Sequence, residues 1–419
     1  MSSACPPVAR EAGLTLSQVR IGLARTEEVE PARGLQAEAF SPAETALGRP
    51  RALREELRVV VVAHDGGPQV VSCLTLLEQP LCVRGAEMPV GGVRQVATRP
   101  DQQNQGYASA LMRDTLRAMR RDGIAVSLLF PFSFRYYRKF GYELGGNYCQ
   151  FWCRPNAIPA YREGKECRRA GAQDWKGLAE LDRARAWNRT CTLLRSAERW
   201  AEVCRDPSLV VEVWCGPSGV EGYAVSTVAR DSAGGRLLRI LDLAAGTRAA
   251  WRGLLGRLAA TDAESVEWFA SATDLSVSGL LRSPAPLREG FKPRAIATVR
   301  PFFQFRIIHL EQALKAALPS FPAGSYRLAL RIQDEVLPEN GAVLALAGTA
   351  VGARLAAARP SDPVLEADVR VFSQIFCGYL SPTEAVSQGL AALSCPSGLE
   401  AAETLFPAGE PFIPELDRF

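Results

Sequence analysis

Histidine is almost missing from this chain: His64 and His309 are the only two in 419 residues. His64 stands in the turn His64-Asp65-Gly66-Gly67 and His309 follows an apolar run, so both read as turn or element-terminus residues. That scarcity argues against a Ser-His-Asp triad and against a multi-histidine metal site. Proton chemistry then falls to carboxyl, tyrosine or cysteine groups. No Cys-x-x-Cys occurs among the eleven cysteines, whose nearest pair is Cys149 and Cys153. An odd, scattered set speaks against a disulfide framework and against structural zinc, and for buried thiols in a reducing compartment. No apolar run approaches the length of a membrane span. Met1 to Arg10 has no apolar stretch after a basic start, so no signal peptide is expected, and the expected location is cytoplasmic. A large charge excess is lacking too. The formal net charge of +4 is too small to suggest nucleic-acid binding, though it suits an anionic ligand.

What is present is globular: 47% hydrophobic and 22% charged residues. The length suggests roughly two to four domains, and the pattern divides into three units, 1–154, 155–300 and 301–419. In the first, strand and helix share Thr15 to Ala39. The run Leu57 to Ala63 is a strand, turned at Asp65-Gly66-Gly67 into Gln69 to Leu77. Met88 to Thr98 extends, Gly106 opens a helix running to about Arg121, and Leu111, Met112, Leu116 and Met119 form its apolar stripe. A short strand, Ile124 to Phe130, and a short helix, Ser133 to Phe140, follow. The second unit repeats this plan, with strands ending at Leu237 to Leu243, a helix at Ala249 to Ala260 and a strand at Val266 to Ala270. Its turn Ala244-Ala245-Gly246-Thr247-Arg248 lacks the glutamine and glycine pattern of the first, so the copy reads as having lost its ligand site. In the third unit, Ser381, Pro382 and Glu384 form a capping box, with Gly389 placed beyond the helix.

The informative segment is Val96-Ala97-Thr98-Arg99-Pro100-Asp101-Gln102-Gln103-Asn104-Gln105-Gly106-Tyr107-Ala108: a strand, a polar loop, then Gly-x-Ala at a helix start. Such a start gathers backbone N–H groups around an anion with the helix dipole behind them, and Gly106 allows close approach. A pyrophosphate fits there, and the edge of Val96 to Thr98 can hold an amide-bearing arm by strand-like hydrogen bonds. Coenzyme A has both. A lone Gly-x-Ala would read as an ordinary connection. Here it is followed by Ile124 to Phe130 and by Tyr136-Tyr137-Arg138-Lys139-Phe140-Gly141-Tyr142. A tyrosine there can protonate a departing thiolate; taken alone, Tyr137 would read as an aromatic core residue.

Gln-x-x-Gly-x-Ala followed by Tyr-x-x-Phe-Gly-Tyr resembles the GNAT acetyltransferase superfamily, and the whole-chain plan resembles its Eis-type (enhanced intracellular survival) branch. The resemblance implies an α+β fold class: two tandem GNAT-type mixed-sheet domains, the second degenerate, plus a C-terminal sterol-carrier-like α/β domain. It implies acetyl-CoA as co-substrate, no metal, and transfer to a primary amine of a small molecule such as an aminoglycoside, or of a lysine. Val96, Ala97 and Thr98 match the segment that holds the pantetheine. Asn104, Gln105, Gly106, Tyr107, Ala108 and Ser109 match the pyrophosphate loop, and Phe132 and Ser133 a further cofactor contact. Tyr137 matches the general acid, with Tyr136 as its competitor, and the α-carboxylate of Phe419 matches the general base. Related proteins assemble, so a homo-oligomer, with a hexamer as one form, is implied. Many such loops carry arginine where Gln103, Asn104 and Gln105 stand; Arg99 or Arg113 are the candidates to compensate. Arg418 beside the proposed base disfavours a polycationic acceptor, and Asp417 is the candidate to offset it. The rival reading is a non-enzymatic binder of an apolar ligand with a vestigial acetyltransferase site.

Overall fold

The computed structural model describes residues 19–40, 54–64, 67–231, 233–272, 288–289, 292–293 and 297–419. Thr15 to Ser17, Asp65, Gly66 and the first ten residues lie outside them, as does the side chain of His64. The first unit opens with β1 (Val19–Leu23), α1 (Thr26–Ala39), β2 (Arg54–His64), β3 (Gly67–Val83) and β4 (Ala86–Thr98). Four consecutive valines, Val59 to Val62, make β2 a strand buried on both faces. Then come α2 (Tyr107–Arg121), β5 (Val126–Leu129), α3 (Phe134–Arg138) and β6 (Glu143–Cys153). The expected stripe of Leu111, Met112, Leu116 and Met119 is fully buried on α2 and packs on Val60, Val62 and Leu74 of the sheet. Gly123, at φ 77°, lies just past its end.

The second unit holds β7 (Arg168–Arg169), α4 (Trp175–Ala186), β8 (Cys191–Leu193), α5 (Ala197–Arg205), β9 (Val210–Gly216), β10 (Gly219–Arg230), β11 (Arg236–Ala245), α6 (Arg248–Ala259) and β12 (Ser265–Ser271). A two-residue ladder, β13 (Arg288–Glu289) with β14 (Lys292–Pro293), precedes β15 (Ala297–Ile307). The two units do not form separate sheets. Among the described residues one 13-stranded sheet runs β1-β2-β3-β4-β5-β15-β6-β12-β11-β10-β9-β7, with β8 on β3. β6 joins the units, pairing with β15 on one side and β12 on the other. β15 therefore runs across the expected 300/301 junction and returns the chain into the first unit, between β5 and β6.

The third unit has α7 (Leu310–Ala317), β16 (Arg327–Gln333), β17 (Leu344–Thr349), β18 (Gly352–Ala356), β19 (Val364–Asp368), α8 (Val369–Cys377), α9 (Pro382–Ser387), β20 (Ala391–Leu393) and α10 (Gly398–Leu405). Its five-stranded sheet has the order β18-β17-β16-β19-β20. The capping box at Ser381 and Glu384 forms as expected, and Gly389 adopts φ 69°. One apolar core runs from Val90 and Val126 of the first sheet through Phe303 and Phe305 to Phe372 and Phe376 of α8, so the third unit is docked by burial rather than tethered.

Within that contact sits a buried ion pair. Arg306 of β15 donates from Nη2 to both Asp334 oxygens at 3.0 Å, and both side chains are shut off from solvent. Asp334 also accepts from the backbone of Val336 and Leu337 and from Asn340, so its carboxylate is well served. Gly141, at φ 81°, makes room for the guanidinium: a Cβ there would stand 1.4 Å from Arg306 Nη1. Gly141→Ala should therefore cost about 3 kcal/mol or more through backbone strain and displacement of a buried charge. The measurement is the denaturation midpoint, and an unchanged midpoint would contradict this packing.

Candidate active site

β4 and β5 pair in parallel from Val90↔Val126 to Val93↔Leu129 and then part. The cause is visible in β4. Its ladder with β3 shifts register, with Thr75 opposite Arg94 but Cys73 opposite Ala97, and Gln95 takes φ 50°. Such a bulge bends the strand and turns it away from its neighbour. Past Val93 the β5-side edge of β4, including Val96, Ala97 and Thr98, has no strand partner, which leaves backbone groups facing a wedge.

The loop after β4 leads into α2. Asn104 (φ 62°) and Gly106 (φ 85°) are both left-handed, and Gly106 is the N-cap. No side chain caps this helix, and the first backbone bond to it runs from Ala110 N to Gly106 O. The N–H groups of Tyr107, Ala108 and Ser109 are thus the orphan donors of a helix start. A Cβ built on Gly106 meets nothing within 4 Å, so the space before these donors is open. An uncapped helix start beside an unpaired strand edge fits an acyl-CoA: phosphates at the helix, amides along β4. Neither arginine considered as compensation points freely at this loop. Arg99 pairs with Asp101 at 3.1 Å, and Arg113 lies 5.6 Å over the Phe140 ring.

Tyr137 lies on α3, whose N-cap Ser133 accepts from Tyr136 N at 3.3 Å. Tyr137 is 4% exposed and belongs to the apolar cluster that holds Val93 and Leu129, the last β4–β5 pair, with Val96 against it. It meets Phe132 and Tyr142 edge to face, at 5.4 and 6.2 Å. Phe132 is 70% exposed, an apolar ring held at the rim. Burial raises the Tyr137 phenol well above its ordinary value, with Tyr136 and Tyr142 adding to the effect. It is therefore an acid that keeps its proton. Tyr136 differs: its hydroxyl is fully enclosed, beside Ser109. Tyr142 is tied down by Ser127 Oγ at 2.7 Å, and burial takes its phenol up to about 12 against that hydrogen bond.

Phe419 approaches from the other face. Adjacent residues of β4 point oppositely: a Cβ on Gly91 would meet Met119 of α2, whereas one on Gly92 would lie 2.5 Å from Phe419 Cζ. The Phe419 ring is also 5.2 Å from that of Phe130, at the end of β5. The last residue of the third unit thus packs against two strands of the first. Sequence reasoning missed Gly92, though a Gly-Gly pair inside a strand does mark close approach. It also missed what holds the tail. Asp417, left open as an offset for Arg418, is buried and taken by Arg195 at 2.9 and 2.6 Å, whereas Arg418 reaches Glu415 at 3.4 Å. Gly92→Ala should push the Phe419 ring out of its slot. Release of the terminal phenylalanine by a carboxypeptidase should then be faster than from the parent chain, and equal release would contradict the contact.

Comparison with known proteins agrees with this architecture. Acetyltransferase (GNAT) domain families match residues 20–145 and 181–307, and a sterol carrier protein domain family matches 311–414. No curated protein sequence matches significantly. Among solved structures, a GCN5-related N-acetyltransferase from Anabaena variabilis is 21% identical with a TM-score of 0.78, covering 96% of this chain and 100% of its own. A probable N-acyltransferase from Enterococcus faecalis is 18% identical with a TM-score of 0.78, covering 96% and 99%. Eis1 from Mycobacterium abscessus is 21% identical with a TM-score of 0.70, covering 96% and 100%. GNAT domains use acetyl-CoA as co-substrate. With an acetyltransferase (GNAT) domain at each of two positions and a sterol carrier protein domain behind them, the chain is an acyltransferase of GNAT type by its domains, and its fold resembles that of Eis1 over 96% of its length.

Proposed function

We propose that this chain transfers an acetyl group from acetyl-CoA directly to a primary amine, with Tyr137 as general acid and the α-carboxylate of Phe419 as general base. The observation that supports the reading is that Tyr137 lies in the apolar cluster of Val93 and Leu129 on one face of β4, while the Phe419 ring lies against Gly92 and Phe130 on the other. The amine nitrogen attacks the thioester carbonyl carbon, and backbone N–H groups of the unpaired β4 edge polarise the carbonyl oxygen. The Phe419 carboxylate first takes a proton from the acceptor's ammonium to free the attacking nitrogen; after attack the carbon–sulfur bond breaks, the departing sulfur takes the Tyr137 proton, and the proton shed by the new amide nitrogen restores the Tyr137 phenol. Val96, Ala97 and Thr98 hold the pantetheine arm, Asn104 through Ser109 the pyrophosphate, and Phe132 and Ser133 the rim.

The charge beside the tail selects the acceptor. Arg418, next to Phe419 in the chain, is exposed and reaches only Glu415 at 3.4 Å, while Asp417 is committed to Arg195. An amine with little other positive charge fits better than a polycation. The expected organisation is 1–154 for catalysis, 155–300 as a degenerate copy and 301–419 as support, within a homo-oligomer.

Tyr137→Phe should lower kcat by about a hundred- to ten-thousand-fold while calorimetry finds acetyl-CoA binding unchanged. Because burial lifts the phenol above its ordinary value of 10.0, the pH profile of the parent should show no loss from its ionisation up to pH 10. Full turnover by Tyr137→Phe would remove the assignment. In a thiol-release assay, neutral monoamines should be turned over faster than aminoglycosides, and Arg418→Glu should narrow that gap. A parent enzyme that prefers polycations would contradict the charge argument.

A further inference from the structure

The two GNAT-type units repeat one construction. β11 pairs in parallel with β12 from Leu237↔Ser265 to Ile240↔Trp268 and then runs on without it, still paired with β10, as β4 parts from β5 past Val93 while still paired with β3. Its ladder with β10 shifts register between Val225 and Ser226, at the position equivalent to the bulge of β4. In each unit the helix that follows, α2 or α6, covers one face of the parting strands. The other face differs between them. In the first unit it carries the Phe419 ring at the mouth of an open wedge. In the second it is closed by the turn Glu415–Asp417, from the same tail. Leu416, 1% exposed, sits in a cluster with Leu241, Ala244 and Tyr223.

The closing contact is ionic. Both Asp417 oxygens are taken by Arg195, from Nε at 2.9 Å and Nη2 at 2.6 Å. Arg195 is itself gripped by Asp242 at 2.7 Å and Asp182 at 3.2 Å, and Arg185 binds the same two carboxylates. Burial disfavours the Asp242 carboxylate, but Arg185 and Arg195 outweigh it and hold its pKa well below the ordinary value. For Asp417 burial prevails over Arg195 and the pKa is raised. Tyr223 completes the cluster, and Glu415, two residues before Asp417, feels Arg418, Arg239 and Glu267. Such a paired arrangement fixes geometry, since an unpaired guanidinium or carboxylate could not stay buried.

We propose that the second domain is the mount for the tail. Arg195, oriented by Asp182 and Asp242, holds Asp417 and so sets where Phe419 stands at the wedge of the first domain; this rests on the reading of Phe419 as the base. Only Arg418 separates Asp417 from Phe419, two residue steps that span at most about 7 Å of extended chain. A chain end left to itself frays, whereas a base must be held within a fraction of an ångström to act. The degenerate unit has thus exchanged a ligand groove for a fixture. Arg195 and Asp417 are positioning residues, without contact to substrate.

The test uses the full chain and two variants: one glycine appended after Phe419, and Asp417→Ala. Turnover is followed against pH, with acetyl-CoA affinity by calorimetry. Asp417→Ala should lose at least about tenfold in kcat near pH 7 with acetyl-CoA affinity unchanged. The loss should narrow as pH rises toward the amine's own pKa, because the acceptor then arrives deprotonated. A uniform loss at every pH would overturn the positioning role. Full turnover by Asp417→Ala, with the appended glycine inactive, would overturn the mount and leave Phe419 as base. Full turnover with the appended glycine would remove the reading of Phe419 itself. Should Asp417→Ala fail to bind acetyl-CoA, Asp417→Asn, which keeps the volume, is read by the same outcomes.

Discussion

The parting of β4 from β5 is the constraint on which the rest of the first domain depends. Two parallel strands that stay paired leave no unsatisfied edge inside a sheet. A bulge at Gln95 ends the pairing after Val93 and exposes β4 backbone in the middle of a folded layer. A ligand with its own amides can satisfy that edge, and the uncapped start of α2 beside it offers orphan donors to an anion. Opening a sheet in this way costs ladder hydrogen bonds. The aromatic packing of Tyr137, Phe140 and Tyr142 against Val93 and Leu129 on one face offsets the loss, with Phe130 and Phe419 on the other.

The other units are explained by what that wedge needs. β15 returns from the second unit to pair with β5, so the strand that borders the wedge is held on its far side. The third unit packs α8 against β15 and β6, and its Asp334 neutralises Arg306 of β15. Its last residues then cross β8, where Phe412 N donates to Cys191 O at 2.9 Å, and reach the Arg195 cluster. Each domain thus contributes to the placement of one chain end. No helix among the described residues is long and apolar enough to cross a membrane.

Local physics made much of the first domain legible. Gly106, the stripe of Leu111, Met112, Leu116 and Met119, and the short helix begun at Ser133 all depend on residues within a turn or two, and the expected elements stand within a few residues of the observed ones. The likeness of the two units was legible for the same reason, since each repeats a short strand–helix–strand sequence. What was not legible is non-local. The place of β15 between β5 and β6 depends on strand order, which no periodicity encodes. The Arg195–Asp417 pair spans 222 residues, and neither side chain differs in sequence from a surface charge. The bulge at Gln95 carries no glycine to mark it, and it shows only in the register shift against β3 and the left-handed φ.

The central claim is that one wedge, in the first domain, takes acetyl-CoA while the equivalent place in the second is closed by the chain's own tail. Calorimetric titration of acetyl-CoA into the purified chain tests this most directly. The account predicts one acetyl-CoA per chain, with Gly106→Val abolishing the signal. Two per chain, or binding that survives Gly106→Val at full strength, would contradict it.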